Sequence, residues 1–86
     1  MTTGTPLRFR LVVSPCGGRL RFLPPQRFVD GVEVVERGQP VALLTMGPSE
    51  VVVRAPIGGR VTEILGLEGQ PVAVGQPLLV IQPEDA

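Results

Sequence analysis

Apolar and polar residues alternate with a period of two at the start of the chain. Leu7, Phe9, Leu11 and Val13 are interleaved with Arg8, Arg10 and Val12, the pattern of a half-buried β-strand. Similar short apolar runs recur near residues 19–23, 28–35, 41–45, 50–54, 60–65, 72–73 and 78–82. Glycine or proline separates nearly all of them, so helix has little room and an all-β fold of many short strands is expected. Pro24-Pro25 cannot continue a ladder, because neither residue has an amide donor. Asp30-Gly31 is expected to form a turn or a bulge. Inward-facing positions are expected at Leu11, Val13, Leu20, Val41, Leu43, Val53, Val61, Ile64, Leu79 and Ile81.

The pattern also repeats. Pro15-Cys16-Gly17-Gly18-Arg19-Leu20 returns as Pro56-Ile57-Gly58-Gly59-Arg60-Val61, and Gly38-Gln39-Pro40-Val41 returns as Gly75-Gln76-Pro77-Leu78. Two copies are too few for a solenoid, in which three or more units share a core. A flattened β-barrel of two four-stranded antiparallel sheets, with halves related by a quasi-two-fold axis, is the expected architecture. The expected boundaries are an N-terminal tail over residues 1–6, one domain over 7–82 and a C-terminal tail over 83–86.

Charge and composition narrow the function classes. The eight basic residues are all arginine and balance eight acidic ones, so nothing favours nucleic acid or an acidic membrane surface. No apolar run approaches the roughly 18 residues of a membrane span. The first six residues lack the basic and apolar regions of a signal peptide, and the single Cys16 allows no intrachain disulfide. A cytoplasmic protein is the expectation. With no histidine in the chain, Cys16 has no base to activate it, and it reads as a small buried side chain in a turn. Metal binding finds neither the histidines nor the cysteines it draws on. Glu33 and Glu36 have no accompanying constellation and are expected to face solvent. The chain is thus not expected to be an enzyme, and no catalytic, metal-binding or cofactor-binding residue is assigned.

The second copy, from Pro56 through Leu67-Glu68-Gly69-Gln70-Pro71-Val72-Ala73-Val74-Gly75 to Ile81, resembles the C-terminal half of a biotinyl/lipoyl carrier domain. Ser14-Pro15-Cys16-Gly17-Gly18 is similar to the Ser-Pro-Met-x-Gly turn that opens such domains, and the resemblance covers about residues 10–82. It implies a barrel-sandwich hybrid fold and, at the tip of the central hairpin, a lysine that accepts biotin or lipoate. Counting from the flanking turns sets the family's Glu-Ala-Met-Lys on Thr45-Met46-Gly47-Pro48. Proline has no primary amine, and the chain contains no lysine elsewhere. Covalent carriage in the family's manner is therefore excluded on chemistry, and no cofactor is expected.

The replacement is good turn chemistry. A two-residue type II′ hairpin needs φ > 0 at its first central residue, which Gly47 supplies, and a φ near that of proline at its second. A cis Gly47–Pro48 bond in a type VI turn is the alternative. Pro24-Pro25 resembles a shortened version of the thumb that some biotin carriers project beside their biotin, and tip and thumb lie at the same end in those carriers. The resemblance thus implies one interaction surface built from Met46, Gly47, Pro48, Ser49, Pro24, Pro25 and Phe28, with Phe22 nearby. The function this leaves is a non-modified biotinyl/lipoyl-like domain that binds or assembles proteins. A pseudo-carrier docking in a biotin- or lipoate-dependent enzyme complex is the alternative. An adaptor-like domain of membrane-fusion type would need a helical hairpin that is absent here. The partner is expected to be a protein of unknown identity, with self-association possible.

Overall fold

The computed structural model describes residues 8–84. The expected tail over 1–6 and residues 85–86 lie outside the described residues. Every regular element among those described is a strand: β1 (Arg10–Val13), β2 (Gly18–Phe22), β3 (Phe28–Val29), β4 (Val32–Val35), β5 (Pro40–Met46), β6 (Ser49–Arg54), β7 (Gly59–Ile64), β8 (Pro71–Val72) and β9 (Pro77–Gln82). They form two antiparallel sheets, ordered β1-β9-β7-β4-β3 and β6-β5-β2-β8. This is the two-sheet sandwich expected, not closed into a barrel, and one sheet has a fifth strand. That strand exists because Asp30 and Gly31 both take positive φ, 52° and 80°. Such a pair makes the two-residue I′ turn that folds β3 back onto β4.

The repeat is visible in the topology. Strands β1, β9, β7 and β4 of one sheet correspond in order to β6, β5, β2 and β8 of the other. Three Gly-Gln-Pro turns pin the halves, with φ of 86°, 81° and 83° at Gly38, Gly69 and Gly75. In each turn the glutamine side chain accepts from a backbone N–H three residues earlier. These bonds are Glu36 N–H to Gln39 Oε1 at 3.0 Å, Leu67 N–H to Gln70 Oε1 at 2.9 Å and Ala73 N–H to Gln76 Oε1 at 3.1 Å. The glutamine N–H donates back to the carbonyl of that same residue each time. A backbone pair left open by the turn is thereby satisfied.

The core lies between the sheets. Leu20, Ala42, Leu44 and Val53 come from one sheet and meet Val12, Val35, Leu78, Leu79 and Ile81 of the other, while Val72 closes one end. Each fully buried leucine or isoleucine stabilises by roughly 1.5–3 kcal/mol, so this cluster dominates the fold. Leu20, Val41, Val53, Leu79 and Ile81 are buried as expected.

Other expected core positions need correction. Leu11 and Val13 are exposed and Val12 is buried, because β1 turns its less obvious parity inward, setting Val12 opposite Leu79. A bulge at Val41 shifts the parity of β5, so Val41, Ala42 and Leu44 all point inward and Leu43 is only half-buried. Ile64 is exposed because β4 covers β7 only at Gly59 and Arg60. Val61, beside it, is half-buried against the core.

Candidate functional site

The central hairpin comprises β5, a two-residue turn and β6. Met46 and Ser49 are the closing pair, and Gly47 and Pro48 form the turn. Gly47 has φ of 55°, and the chain has no cis peptide bond among its described residues. Because proline cannot take positive φ, the turn is type II′, and the type VI alternative is set aside. A side chain at Gly47 would meet nothing within 4 Å, so glycine is required by backbone conformation and not by space. The tip stands free: Met46, Gly47, Pro48 and Ser49 are all exposed, and Met46 is the large apolar side chain there.

Its base is held firmly. Arg19 of β2 lies opposite Thr45, and Gly18 approaches so closely that an added Cβ would come within 3.0 Å of the Thr45 carbonyl oxygen. The preceding turn is fixed by Ser14, a fully buried polar residue whose Oγ donates to the Cys16 carbonyl at 2.6 Å. Cys16 is half-buried against the core as a free thiol. The tip therefore sits beside the first Pro-x-Gly-Gly turn.

The loop over residues 23–27 lies elsewhere. Phe22 is opposite Ala42, and the Leu23 N–H donates to the Val41 carbonyl at 3.0 Å. Val41 and Met46 are five residues apart along β5, about 16 Å at strand rise. Gln26 and Arg27 line a concave surface of about 490 Å³ with Gly38, Gln39 and Pro40, at the opposite end of β5 from the tip. The expected shared surface of hairpin tip and thumb is therefore not formed. Pro24, Pro25 and Phe28 are exposed but belong to the far end, and Phe22 is half-buried under the 65–69 loop, its N–H donating to Glu68 Oε1.

The acidic residues do not pair with each other. Glu36 is exposed and faces Arg27 across 3.6 Å. Glu33 is half-buried on β4, correcting the expectation of a solvent-facing side chain, and desolvation raises its pKa above the ordinary carboxylate value. No group of three or more metal-ligating side chains occurs among the described residues. No helix among them is long and apolar enough to cross a membrane.

Residues 26–81 match the Biotin_lipoyl family, described as "Biotin-requiring enzyme". The chain belongs to that family. Solved structures that share its fold include two carboxylases. One is a single-chain, multi-domain long-chain acyl-CoA carboxylase, with 22% identity and a TM-score of 0.74, covering 99% of this chain and 8% of that one. The other is the urea carboxylase of Kluyveromyces lactis, with 30% identity and a TM-score of 0.70, covering 94% of this chain and 7% of that one. The chain thus spans less than a tenth of either carboxylase. No curated protein matches the sequence significantly.

Membership of the Biotin_lipoyl family makes the tip the place to test for a prosthetic group. An amide link requires a primary amine. The turn offers Gly47 and Pro48, whose backbone is committed to a type II′ hairpin, and the chain has no lysine to substitute. The residues present do not fit a covalently bound biotin or lipoate.

Proposed function

We propose that this chain is a non-modified member of the Biotin_lipoyl family that serves as a protein-binding or assembly module. The observation that carries this reading is the Gly47-Pro48 turn at the tip of the β5–β6 hairpin, in a chain without lysine. The tip is presented as a carrier's would be, yet it holds no side-chain amine that could be acylated. A stiff turn with one adaptable apolar side chain, Met46, is suited to docking, since little conformational freedom is lost on binding. The contact surface is then Met46, Gly47, Pro48 and Ser49. Pro24, Pro25 and Phe28 offer a separate contact at the far end.

A second reading has its own support. The two similar structures described above are carboxylases of which this chain spans less than a tenth, which favours a pseudo-carrier docking where a carrier domain would sit in such a complex. The reduced, unpaired Cys16 is compatible with the cytoplasm. The test of the common core is intact-mass measurement after incubation with biotin–protein ligase or lipoate ligase, cofactor and ATP. The expected mass is unchanged, and a gain equal to biotinyl or lipoyl on the full chain would overturn the proposal. Co-purification of carboxylase subunits with the tagged chain separates the two readings.

A further inference from the structure

Free sheet edges expose unpaired amides and carbonyls, and proteins ordinarily keep such edges short, bulged or charged. Three edge strands here follow that habit. β3 and β8 have two residues each, and β1 has four with a register shift at Val12/Val13. β6 differs. It is six residues long, its register with β5 is unbroken from Ser49 to Val53, and among the described residues nothing pairs with its other side.

Alternation decides which of its groups are free. Met46 and Ser49 close a two-residue hairpin and so form a hydrogen-bonded pair. At the other end, the Ala55 N–H donates to the Gln39 carbonyl at 2.9 Å. Residues 49, 51, 53 and 55 therefore face β5, leaving the N–H and C=O of Glu50, Val52 and Arg54 on the open edge. The side chains of these same three residues are exposed.

Their order is self-complementary. If two copies of β6 run antiparallel about Val52, then Val52 meets Val52, and Glu50 of each copy meets Arg54 of the other. Among the described residues neither Glu50 nor Arg54 has an ion-pair partner; Arg54 Nη1 donates to the Gly38 carbonyl at 3.0 Å, leaving further guanidinium donors. β1 carries Arg10 and no carboxylate, so two copies of that edge lack this match. No Cα of β1 comes within 8 Å of one in β6, so β1 does not occupy the ladder position beside β6, where a neighbour would lie at about 4.8 Å. Leu11, Val13, Pro15, Val52 and Pro56 line a groove of about 400 Å³ bordering the seam, and a neighbour there would cover these apolar groups.

We infer that β6 is a self-pairing edge that joins two copies of this chain, fusing their β8-β2-β5-β6 sheets into one continuous antiparallel sheet across a two-fold axis. The inference rests on strand geometry and charge order and does not use the missing lysine, so ligase labelling and self-association can fail separately. The experiment is sedimentation of the full chain over rising concentration, up to about 1 mM. The wild type is expected to approach twice the chain mass. Glu50→Arg and Arg54→Glu alone each set like charges opposite one another twice, and each is expected to weaken association about tenfold or more. An equimolar mixture of the two variants restores it, because every opposed pair is again of opposite sign. Val52→Pro removes an amide used only by the partner copy and is expected to abolish the dimer while circular dichroism stays unchanged. A wild type that stays monomeric throughout overturns the inference and leaves the edge to a different protein. A dimer indifferent to charge reversal and to Val52→Pro also overturns it, placing self-contact on another surface.

Discussion

Ser14 and Ala55 hold equivalent places, one after β1 and the other after β6, and they make the same two backbone hydrogen bonds. Ser14 donates to the Gln76 carbonyl at 2.9 Å and accepts from the Gly75 N–H at 2.7 Å, while Ala55 donates to Gln39 at 2.9 Å and accepts from Gly38 at 2.8 Å. The halves diverge outside this frame. The first half carries the extra segment over residues 23–31 with its β3 hairpin, and its edge strand is short and shifted. The second half has no such insertion, and its edge strand is long and regular. Glycine and glutamine at turns thus maintain the architecture in both halves, whereas edges and insertions are free to acquire separate tasks. Such freedom is expected of surface connections, which bury little.

The largest test of this equivalence uses Leu20 and Val61, which follow the two Pro-x-Gly-Gly turns. Leu20 is fully buried between the sheets, and Val61 is only half-buried because β4 stops short of it. Leu20→Ala is expected to destabilise by about 2–5 kcal/mol, as deletions of fully buried leucine do, and Val61→Ala by less than half as much. Chemical denaturation gives both values. Equal losses would mean that the two halves share the core evenly, contrary to their unequal burial.

Which features could be read from sequence follows from the same division. The Pro-x-Gly-Gly and Gly-Gln-Pro repeats announced the paired halves, because positive φ at glycine and the fixed φ of proline act locally. The Gly47-Pro48 turn was legible for that reason, and only the isomer needed the structure. Burial in β1 was not legible. The alternation with Arg8 and Arg10 pointed Leu11 and Val13 inward, but Val12 is apolar as well, and pairing with β9 turns Val12 to the core instead. Extrapolating from Val41 to Leu43 failed at a bulge, a feature that inserts one residue and reverses the parity of all that follow. The separation of the tip from the 23–27 loop was hidden too, since it depends on the register of β2 against β5.

A smaller effect probes the turns. Gln39→Ala and Gln76→Ala each remove a side-chain acceptor from a backbone N–H, and each is expected to cost about 0.5–1 kcal/mol. Near-equal shifts in thermal midpoint would confirm that the two turns do the same work. If Gln39→Ala costs much more, the 490 Å³ concavity that Gln39 helps to line has become part of the fold's stability in the first half alone.

The smallest expected effect concerns Glu33, which separates the two halves by what covers β4. Its topological counterpart β8 is an edge of its sheet, whereas β4 carries β3 on its outer side with Phe28 opposite Glu33. Half-burial desolvates this carboxylate and raises its pKa above the ordinary 4.5. Well below that value Glu33 is neutral in both folded and unfolded chains, and its burial carries no charge penalty. As pH rises, the unfolded chain ionises first, so the folded state holds more protons over this window. Stability therefore falls with rising pH until the folded carboxylate has ionised, and is flat beyond. Glu33→Gln is expected to remove that slope and raise the thermal midpoint slightly at neutral pH, with a smaller change at pH 4. Phe28→Ala should weaken the same slope by wetting the carboxylate. Thermal melts of the three proteins between pH 4 and 8 decide the matter. A wild type whose stability instead rises through this range, with the rise lost in Glu33→Gln, would show that Glu33 is held as an anion and that the β3 hairpin does not desolvate it.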